Sequence, residues 1–123
     1  MLDLGKALNA LISSATTTTI VNKVFPLEAP LNTLQPFIVY EISDIPEYTR
    51  DGIAGYLSTA DIYVVTNNYG QGIAIGKSII NMLQFYSGIV DGITIVNCRL
   101  ASTEGTVADQ VFSQKLSFSI RNF

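Results

Sequence analysis

The stretch FSQKLSFSIR at residues 112–121 carries the clearest structural signal in the chain. Apolar and polar residues alternate along it, which is typical of a strand with one face in a core and the other in solvent. The inward side reads Phe112, Leu116, Phe118 and Ile120, and the outward side reads Ser113, Lys115, Ser117, Ser119 and Arg121. The stretch therefore predicts a half-buried strand that needs a sheet beside it and a layer over its apolar face.

Other stretches predict the remaining strands. A strand is expected at Pro36–Ile42, which a proline opens, and another at Tyr56–Thr66, where Asp61 lies on the polar face. A third runs from Ile93 to about Ala101, with Cys98 and Arg99 on opposite faces. Ser102–Asp109 is expected to form the polar turn into the last strand. A shorter strand is expected after the run Thr16–Thr19, with its apolar content at Ile20, Val21, Val24 and Phe25.

Two segments predict helices. The first is capped by Asp3 and reaches about Ser14, with Leu4, Leu8 and Ile12 at helical spacing. The second follows Asn67–Gly70 and ends at Gly88, with the apolar stripe Ile73, Ile80, Leu83 and Tyr86. The predicted order is α-β-β-β-α-β-β. Residues 1–123 thus form one α+β domain, a mainly antiparallel sheet of about four to five strands with two helices on one side.

The segment Ser43–Gly55 is expected to be a long polar loop between two strands, because it contains Pro46, Gly52 and Gly55. Long loops in compact domains are often functional. We expect this loop to contact partners, particularly through Tyr48, Arg50 and Asp51.

The composition indicates a surface that other chains cover. Only 14% of residues are charged, against about 25% in typical domains, and the mean hydropathy is +0.35. The net charge of −3 disfavours a protein that reads nucleic-acid sequence. Residues 1–61 hold three basic and seven acidic residues, net −4, whereas residues 62–123 hold four and three, net +1. Such asymmetry favours head-to-tail contacts between copies, which close into rings when the rotation permits.

The residue inventory excludes several chemistries. The sequence has no histidine and a single cysteine, Cys98, which excludes Ser-His-Asp and Cys-His catalysis and cysteine-rich zinc sites. We expect Cys98 to be a buried, inert thiol. The acids Glu41, Asp44, Glu47 and Asp51 lack the spacing of an EF-hand, so no metal or cofactor is expected. No signal-peptide pattern and no apolar run of ~20 residues occurs, so we expect a soluble, intracellularly made protein without membrane contact.

The stretch GQGIAIG at Gly70–Gly76 leaves an enzymatic alternative open. It is similar to a dinucleotide-binding fingerprint, with Asp91 about twenty residues further on. However, the third glycine is displaced by one residue, and Asp91 precedes a strand rather than ending one. We therefore favour glycines that shape a turn at Gly70 and Gly72 and allow close packing at Gly76. A nucleotide-binding enzyme remains the alternative.

Taken together, these segments resemble the tail terminator, or tail completion, proteins of long-tailed bacteriophages, the family that includes the phage lambda tail terminator. The resemblance covers most of the chain: an N-terminal helix, Pro36–Ile42, the polar segment Ser43–Gly55, the strand Ala60–Thr66, one helix and a long final hairpin ending in Leu116–Ile120.

The resemblance implies a non-enzymatic virion protein of the head-tail neck, made in the host cytoplasm. Such a protein forms a ring, usually a hexamer, that caps the tail tube and ends tube polymerisation. It also joins the tail to a head-closure or connector protein, while DNA passes through the lumen without specific binding. Under this interpretation the interface residues are Tyr48, Arg50 and Asp51 for tube or neighbour contacts, and Asp61 and Arg99 for a neighbouring subunit. A head-closure protein, a tail tube subunit and a small-ligand-binding domain remain alternatives.

Overall fold

Eight elements make up the fold. The computed structural model describes residues 4–15, 24–26, 36–90 and 92–123, apart from the side chains of residues 13–15 and 26. The elements are α1 (Leu4–Ala15), β1 (Val24–Pro26), β2 (Phe37–Thr49), β3 (Gly52–Thr66), α2 (Tyr69–Leu83), β4 (Gly88–Val90), β5 (Ile93–Ala108) and β6 (Val111–Asn122). The predicted N-terminal helix is confirmed. Its expected cap Asp3, the run Thr16–Thr19 and Asp91 lie outside the described residues.

All described strands belong to one sheet, in the order β1-β2-β3-β6-β5-β4. Four neighbouring pairs are antiparallel: β2 with β3, β3 with β6, β6 with β5, and β5 with β4. The remaining pair, β1 with β2, is parallel. The α+β class fits, but two details of the prediction were wrong. The sheet has six strands rather than four to five, and it is mixed, with β1 parallel to β2, where a mainly antiparallel sheet was expected. The unforeseen strand β4 has only three residues, too few to show a period-two pattern in the sequence.

Both helices pack on one face of the sheet. Alternate residues of the central strands, such as Ile62 and Phe118, share a single core with Ile12 of α1 and Ile79 of α2. These four side chains are fully buried. The opposite face, which carries Asp61 and the outward residues of β6, is covered by no helix within the described residues. We call it the open face.

The segment Ser43–Gly55 is a β-hairpin, so the predicted loop was wrong. Pairing between β2 and β3 continues from Ser43 opposite Thr59 to Thr49 opposite Gly52, with one bulge near Glu47. Pro46 is tolerated because β2 is an edge strand there, where a missing N–H breaks no ladder bond. Gly52 adopts a φ of +124°, which a tight turn exploits. Pro46 thus lies in an edge strand next to the bulge, and Gly52 lies in the turn of the hairpin.

The predicted turn at Ser102–Asp109 is also mostly strand. β5 continues to Ala108, and only Asp109 and Gln110 form the turn into β6, with φ angles of +50° and +65°. Two residues of positive φ match the right-handed twist of the strands that they connect. The sequence hid this turn because Gln110 is not a residue that usually marks a left-handed conformation.

The second helix ends five residues earlier than predicted, at Leu83 rather than Gly88. Asn68 caps its start, since the Asn68 side chain accepts a hydrogen bond from the Gln71 N–H at 3.0 Å. At its end Phe85 adopts a φ of +61° and donates its N–H to the Cys98 carbonyl oxygen at 2.7 Å. Because the Phe85 N–H bonds to a carbonyl of β5 rather than to one of α2, the helix does not continue, and Tyr86 lies outside it. The stripe that faces the core is Ile75, Ile79 and Leu83.

Candidate functional site

Two hairpins lie at opposite ends of the sheet. The central ladder of β3 and β6 runs from Tyr56 opposite Asn122 to Thr66 opposite Phe112. The β2–β3 hairpin extends beyond the first of these pairs by residues 47–55, whereas the β5–β6 hairpin passes the second only at residues 108–111. We call residues 46–55 the first arm and residues 101–110, all of which are exposed, the second arm. The fold thus presents one protruding strand pair, the first arm, and an exposed hairpin end, the second arm, at the opposite end of the sheet.

The first arm carries exposed apolar side chains. Tyr48 and Ile53 face each other across its two strands and are 72% and 53% exposed. Arg50 and Asp51 form the exposed tip, where the Asp51 N–H donates to Thr49 Oγ1 at 3.4 Å. A monomer rarely gains by leaving such apolar groups in water, so the arm is suited to burial against another surface. The structure therefore places three of the sequence-predicted residues, Tyr48, Arg50 and Asp51, together on one protrusion.

Polar contacts anchor the first arm to the sheet. On the helix side, Asn122 Nδ2 donates to Ser58 Oγ at 3.0 Å, and Ser58 Oγ donates to Asp44 Oδ1 at 2.5 Å. On the open face, Arg121 Nε lies 3.3 Å from Glu47 Oε1 in an ion pair. An exposed ion pair and a hydrogen-bond chain thus join the base of the first arm to β3 and β6.

The open face separates charge between its two halves. Glu41 on β2 lies directly opposite Asp61 on β3, so two carboxylates are cross-strand neighbours. Asp61 Oδ1 accepts a hydrogen bond from Ser117 Oγ at 2.7 Å, whereas Glu41 has no hydrogen-bond or ion-pair partner among the described residues. Like charges at directly opposed positions destabilise a strand pair. Among the described residues, neither carboxylate forms an ion pair that would offset this repulsion.

The basic residues of the open face lie on β5 and β6, where Glu104 of β5 is directly opposite Lys115. Lys115 Nζ lies 5.9 Å from the centre of the Tyr63 ring, a cation–π arrangement. Arg99 and Arg121 flank a shallow concavity of about 330 Å³. Its other lining residues are Leu57, Val96, Asn97 and Ser119. Guanidinium, amide and hydroxyl donors around a partly apolar floor suit a carboxylate on a larger surface.

The structure brings Asp61 and Arg99 to the same face, as the alternation predicted. Asp61 is level with Ser117, and Arg99 is level with Ser119, two residues further along β6. The predicted residues thus form two groups, one at the tip of the first arm and one on the open face. Sequence reasoning named Glu41 and Glu47 only as acids of one polar segment, and it missed the position of Glu41 opposite Asp61 and the ion pair of Glu47 with Arg121. The alternation of apolar and polar residues in β2 already indicated that the Glu41 side chain faces outward, because Ile38, Tyr40 and Ile42 occupy the other face.

A second concavity lies at the start of α2. Tyr69 and Phe112 pack edge to face at 5.4 Å between ring centres, and Val107 of the second arm is 63% exposed beside them. The concavity measures about 370 Å³ and is lined by Tyr69, Ile73, Gly105, Thr106, Val107, Phe112 and Gln114. Its walls are mainly apolar. It offers an apolar contact surface at the end of the sheet opposite the first arm.

The glycines of Gly70–Gly76 lie within α2, so the expected turn at Gly70 and Gly72 was wrong. A Cβ on Gly72 would approach Thr66 Cγ2 within 2.7 Å, which explains the glycine by close packing of the helix on β3. Cys98 is 2% exposed, and burial raises the pKa of its thiol to about 12. The thiol is therefore protonated at neutral pH and is a poor nucleophile, as predicted.

Two further features are absent from the part of the chain that the structure describes. Within residues 4–15, 24–26, 36–90 and 92–123, no group of three or more His, Cys, Asp or Glu side chains is placed to hold a metal ion. No helix in this described part has the length and apolar character needed to cross a membrane.

Comparison with known proteins identifies the fold. No protein-family model and no curated protein matches the sequence. A chain from the virion of a native gene transfer agent particle is similar with a TM-score of 0.76 and 13% sequence identity, covering 99% of this chain and 98% of that chain. A second solved chain has a TM-score of 0.70 at 11% identity, covering 98% of this chain and 93% of that chain. At such identities the similarity establishes a shared fold over nearly the whole length.

Proposed function

We propose that this protein is a non-enzymatic structural component of a phage-like virion. The observation that carries the proposal is the full-length fold similarity to a chain in a gene transfer agent virion, at a TM-score of 0.76. The physical character of the chain supports the same conclusion. Its low charge content, exposed apolar arm and charge-separated open face all suit a subunit whose surface is buried by neighbours.

Within the virion, we propose the role of tail terminator, on the basis of the sequence resemblance. Copies of the chain form a ring, a hexamer in the resembled family, which caps the tail tube and ends its polymerisation. The other side of the ring joins a head-closure or connector protein, and DNA passes through the lumen. A net charge of −3 and the absence of a basic run suit a conduit that does not retain DNA.

The surfaces can be assigned to these contacts. The first arm, with Tyr48, Arg50 and Asp51, points away from the sheet and is suited to contact the tube or a neighbouring subunit. Asp61 and Arg99 lie on the open face and are suited to contact a neighbour. The two proposed contacts thus correspond to the two groups of predicted residues, one at the tip of the first arm and one on the open face.

Native mass spectrometry with negative-stain imaging tests the proposal. We expect one closed ring with a central hole, and the same ring at the ends of tail tubes assembled from the tube protein of the same virion. Long cylinders formed by the chain alone would instead identify a tube subunit. A ring that leaves tube growth unchanged would favour a head-closure protein. A compact monomer under all conditions, including with tubes present, would overturn the proposal.

A further inference from the structure

We propose that the tip of the first arm of one copy binds in the apolar concavity at the start of α2 of the next copy. In this joint, Tyr48 and Ile53 of the arm pack against Tyr69 and Val107 of the neighbouring copy. The inference rests on the proposed function, because it names the surface that receives the first arm when copies assemble into a ring.

The arm and the concavity lie at opposite ends of the sheet. The arm extends past the pair of Tyr56 with Asn122, whereas the concavity lies beside the pair of Thr66 with Phe112. The ten residue steps of β3 between these pairs span about 33 Å at ~3.3 Å per step. One copy therefore cannot fill its own concavity, and the contact joins unlike ends of two copies. Such head-to-tail contacts close into a ring when the rotation between copies permits.

Both surfaces expose apolar side chains that the described part of their own chain leaves uncovered. Tyr48 and Ile53 on the arm are more than half exposed, and so are Tyr69 and Val107 at the concavity. The concavity measures about 370 Å³, which suits a few side chains rather than a large ligand. A protruding apolar tip and an apolar concavity are complementary in shape, and their contact removes apolar area from water.

Charge complementarity favours a second copy as the occupant. The arm tip carries a cation and an anion side by side, Arg50 and Asp51, and both are exposed. The concavity is flanked by Asp109 in the turn of the second arm and by Lys77, one helical turn after Ile73. Among the described residues, none of these four charged groups forms an ion pair. The joint places Arg50 near Asp109 of the neighbour and Asp51 near Lys77 of the neighbour.

The other acid of the second arm leaves this pairing intact. Glu104 lies on the open face directly opposite Lys115, whereas Gly105 and Val107 line the concavity on the helix side. Exposed ion pairs contribute only about 0–1 kcal/mol each. The apolar contact therefore supplies most of the affinity, and the charges determine the orientation of the arm tip in the concavity.

Cross-linking of two single-cysteine variants tests the joint directly. Ala54→Cys adds a thiol to the first arm and Thr106→Cys adds one beside the concavity, and both positions are exposed. Cys98 is buried and does not compete. In an equal mixture we expect a short bismaleimide to join the two variants into dimers, and we expect no dimers from either variant alone. Asn81→Cys, on the exposed side of α2, replaces Thr106→Cys in the control and should give none.

Filling the concavity tests the receiving side. Gly105→Val adds a branched side chain to the lining, and the nearest atoms to the added Cβ belong to the flexible end of Gln114, with Nε2 at 3.1 Å. Valine favours strand, so we expect the fold to be retained, as denaturant titration would check. We expect the concentration for half-maximal ring assembly to rise about tenfold. Ala101→Val, at an exposed position of β5 outside the concavity, is the control with unchanged assembly.

Charge reversal tests the orientation of the arm tip. Asp51→Lys alone or Lys77→Glu alone places like charges together, and we expect each to raise the concentration for half-maximal assembly about fivefold. The double variant restores the attraction and should assemble within about twofold of the wild type. Asp51→Lys combined with Lys6→Glu has the same net charge but alters an exposed cation on α1, so it should assemble as poorly as Asp51→Lys. Equal recovery in both double variants would overturn the pairing.

The outcomes separate this inference from the proposed function. Rings that form without the cross-link, or with Ala54→Cys linked to the tube protein instead, would overturn the joint and leave the ring in place. Dimers from Ala54→Cys alone would overturn it too, because the arms would then contact each other. Long cylinders that carry the cross-link would support the joint and overturn the terminator role. A wild-type chain that stays monomeric under all conditions would overturn both.

Discussion

The two faces of the sheet differ in what completes them. The helix-covered face is finished within one chain, since Ile38, Ile62 and Phe118 are fully buried beneath α1 and α2. The open face instead holds opposed carboxylates on β2 and β3 and arginines on β5 and β6. Apolar packing stabilises the monomer, whereas separated charges on an open face favour contact with a complementary surface. Substitutions on the first face should therefore affect folding, and those on exposed surfaces should affect assembly.

The largest expected effect comes from the centre of the core. Phe118→Ala removes a ring that is 0% exposed and leaves a cavity between the sheet and both helices. We expect the free energy of unfolding to fall by about 3–5 kcal/mol, measured by denaturant titration.

The neighbouring residue gives the matched control on the other face. Ser119 follows Phe118 directly but faces the open side, so Ser119→Ala should change the free energy of unfolding by no more than about 0.5 kcal/mol. Equal losses for the two variants would contradict the division into a folding face and an assembly face.

A smaller loss is expected where α2 approaches β3. Gly72→Ala places a Cβ 2.7 Å from Thr66 Cγ2, and we expect a loss of about 1–3 kcal/mol in the free energy of unfolding. Thr66→Ser removes that methyl group, so it should recover most of the loss when combined with Gly72→Ala. At Gly70 the added Cβ meets only Asn68 Oδ1 at 3.5 Å, and Gly70→Ala should be nearly neutral. Equal losses at both glycines would contradict the packing explanation.

The sequence predicted the covered face better than the two arms, for a physical reason. In β3 and β6 every second residue packs into the core, so the sequence alternates between apolar and polar residues. That alternation correctly predicted that Asp61 and Arg121 face outward. The arms have no buried face, so residues 101–108 show no such period, although they form strand. Pro46 and Gly52 were read as loop signals but belong to an edge and a turn. The cross-strand position of Glu41 depends on register, which composition cannot reveal.

Alkaline pH should weaken the covered face through Cys98. Burial raises the pKa of this thiol from 9.0 to about 12, so the unfolded chain ionises at lower pH than the folded one. The free energy of unfolding should therefore be unaffected by this group below about pH 8 and fall as the pH rises beyond 9, by about 1 kcal/mol at pH 10. Denaturant titrations at pH 8 and pH 10 measure the loss. Cys98→Ala should show a smaller decrease between the two values, and an equal decrease would assign the effect to other groups.

The smallest effect on folding and the clearest effect on assembly are expected at the first arm. Tyr48→Ser combined with Ile53→Ser removes apolar side chains that are 72% and 53% exposed, so the monomer loses little burial. We expect the free energy of unfolding to change by no more than about 1 kcal/mol, because exposed substitutions are small in effect. If the arm is buried against a tube or neighbour, native mass spectrometry and tube binding should show reduced assembly, since buried aromatic anchors dominate interfaces. The exposed pair Ala74→Ser and Asn81→Ser on α2 is the control. Unchanged ring formation and tube capping in the arm variant would remove the first arm from the interface and leave the open face as the proposed contact surface.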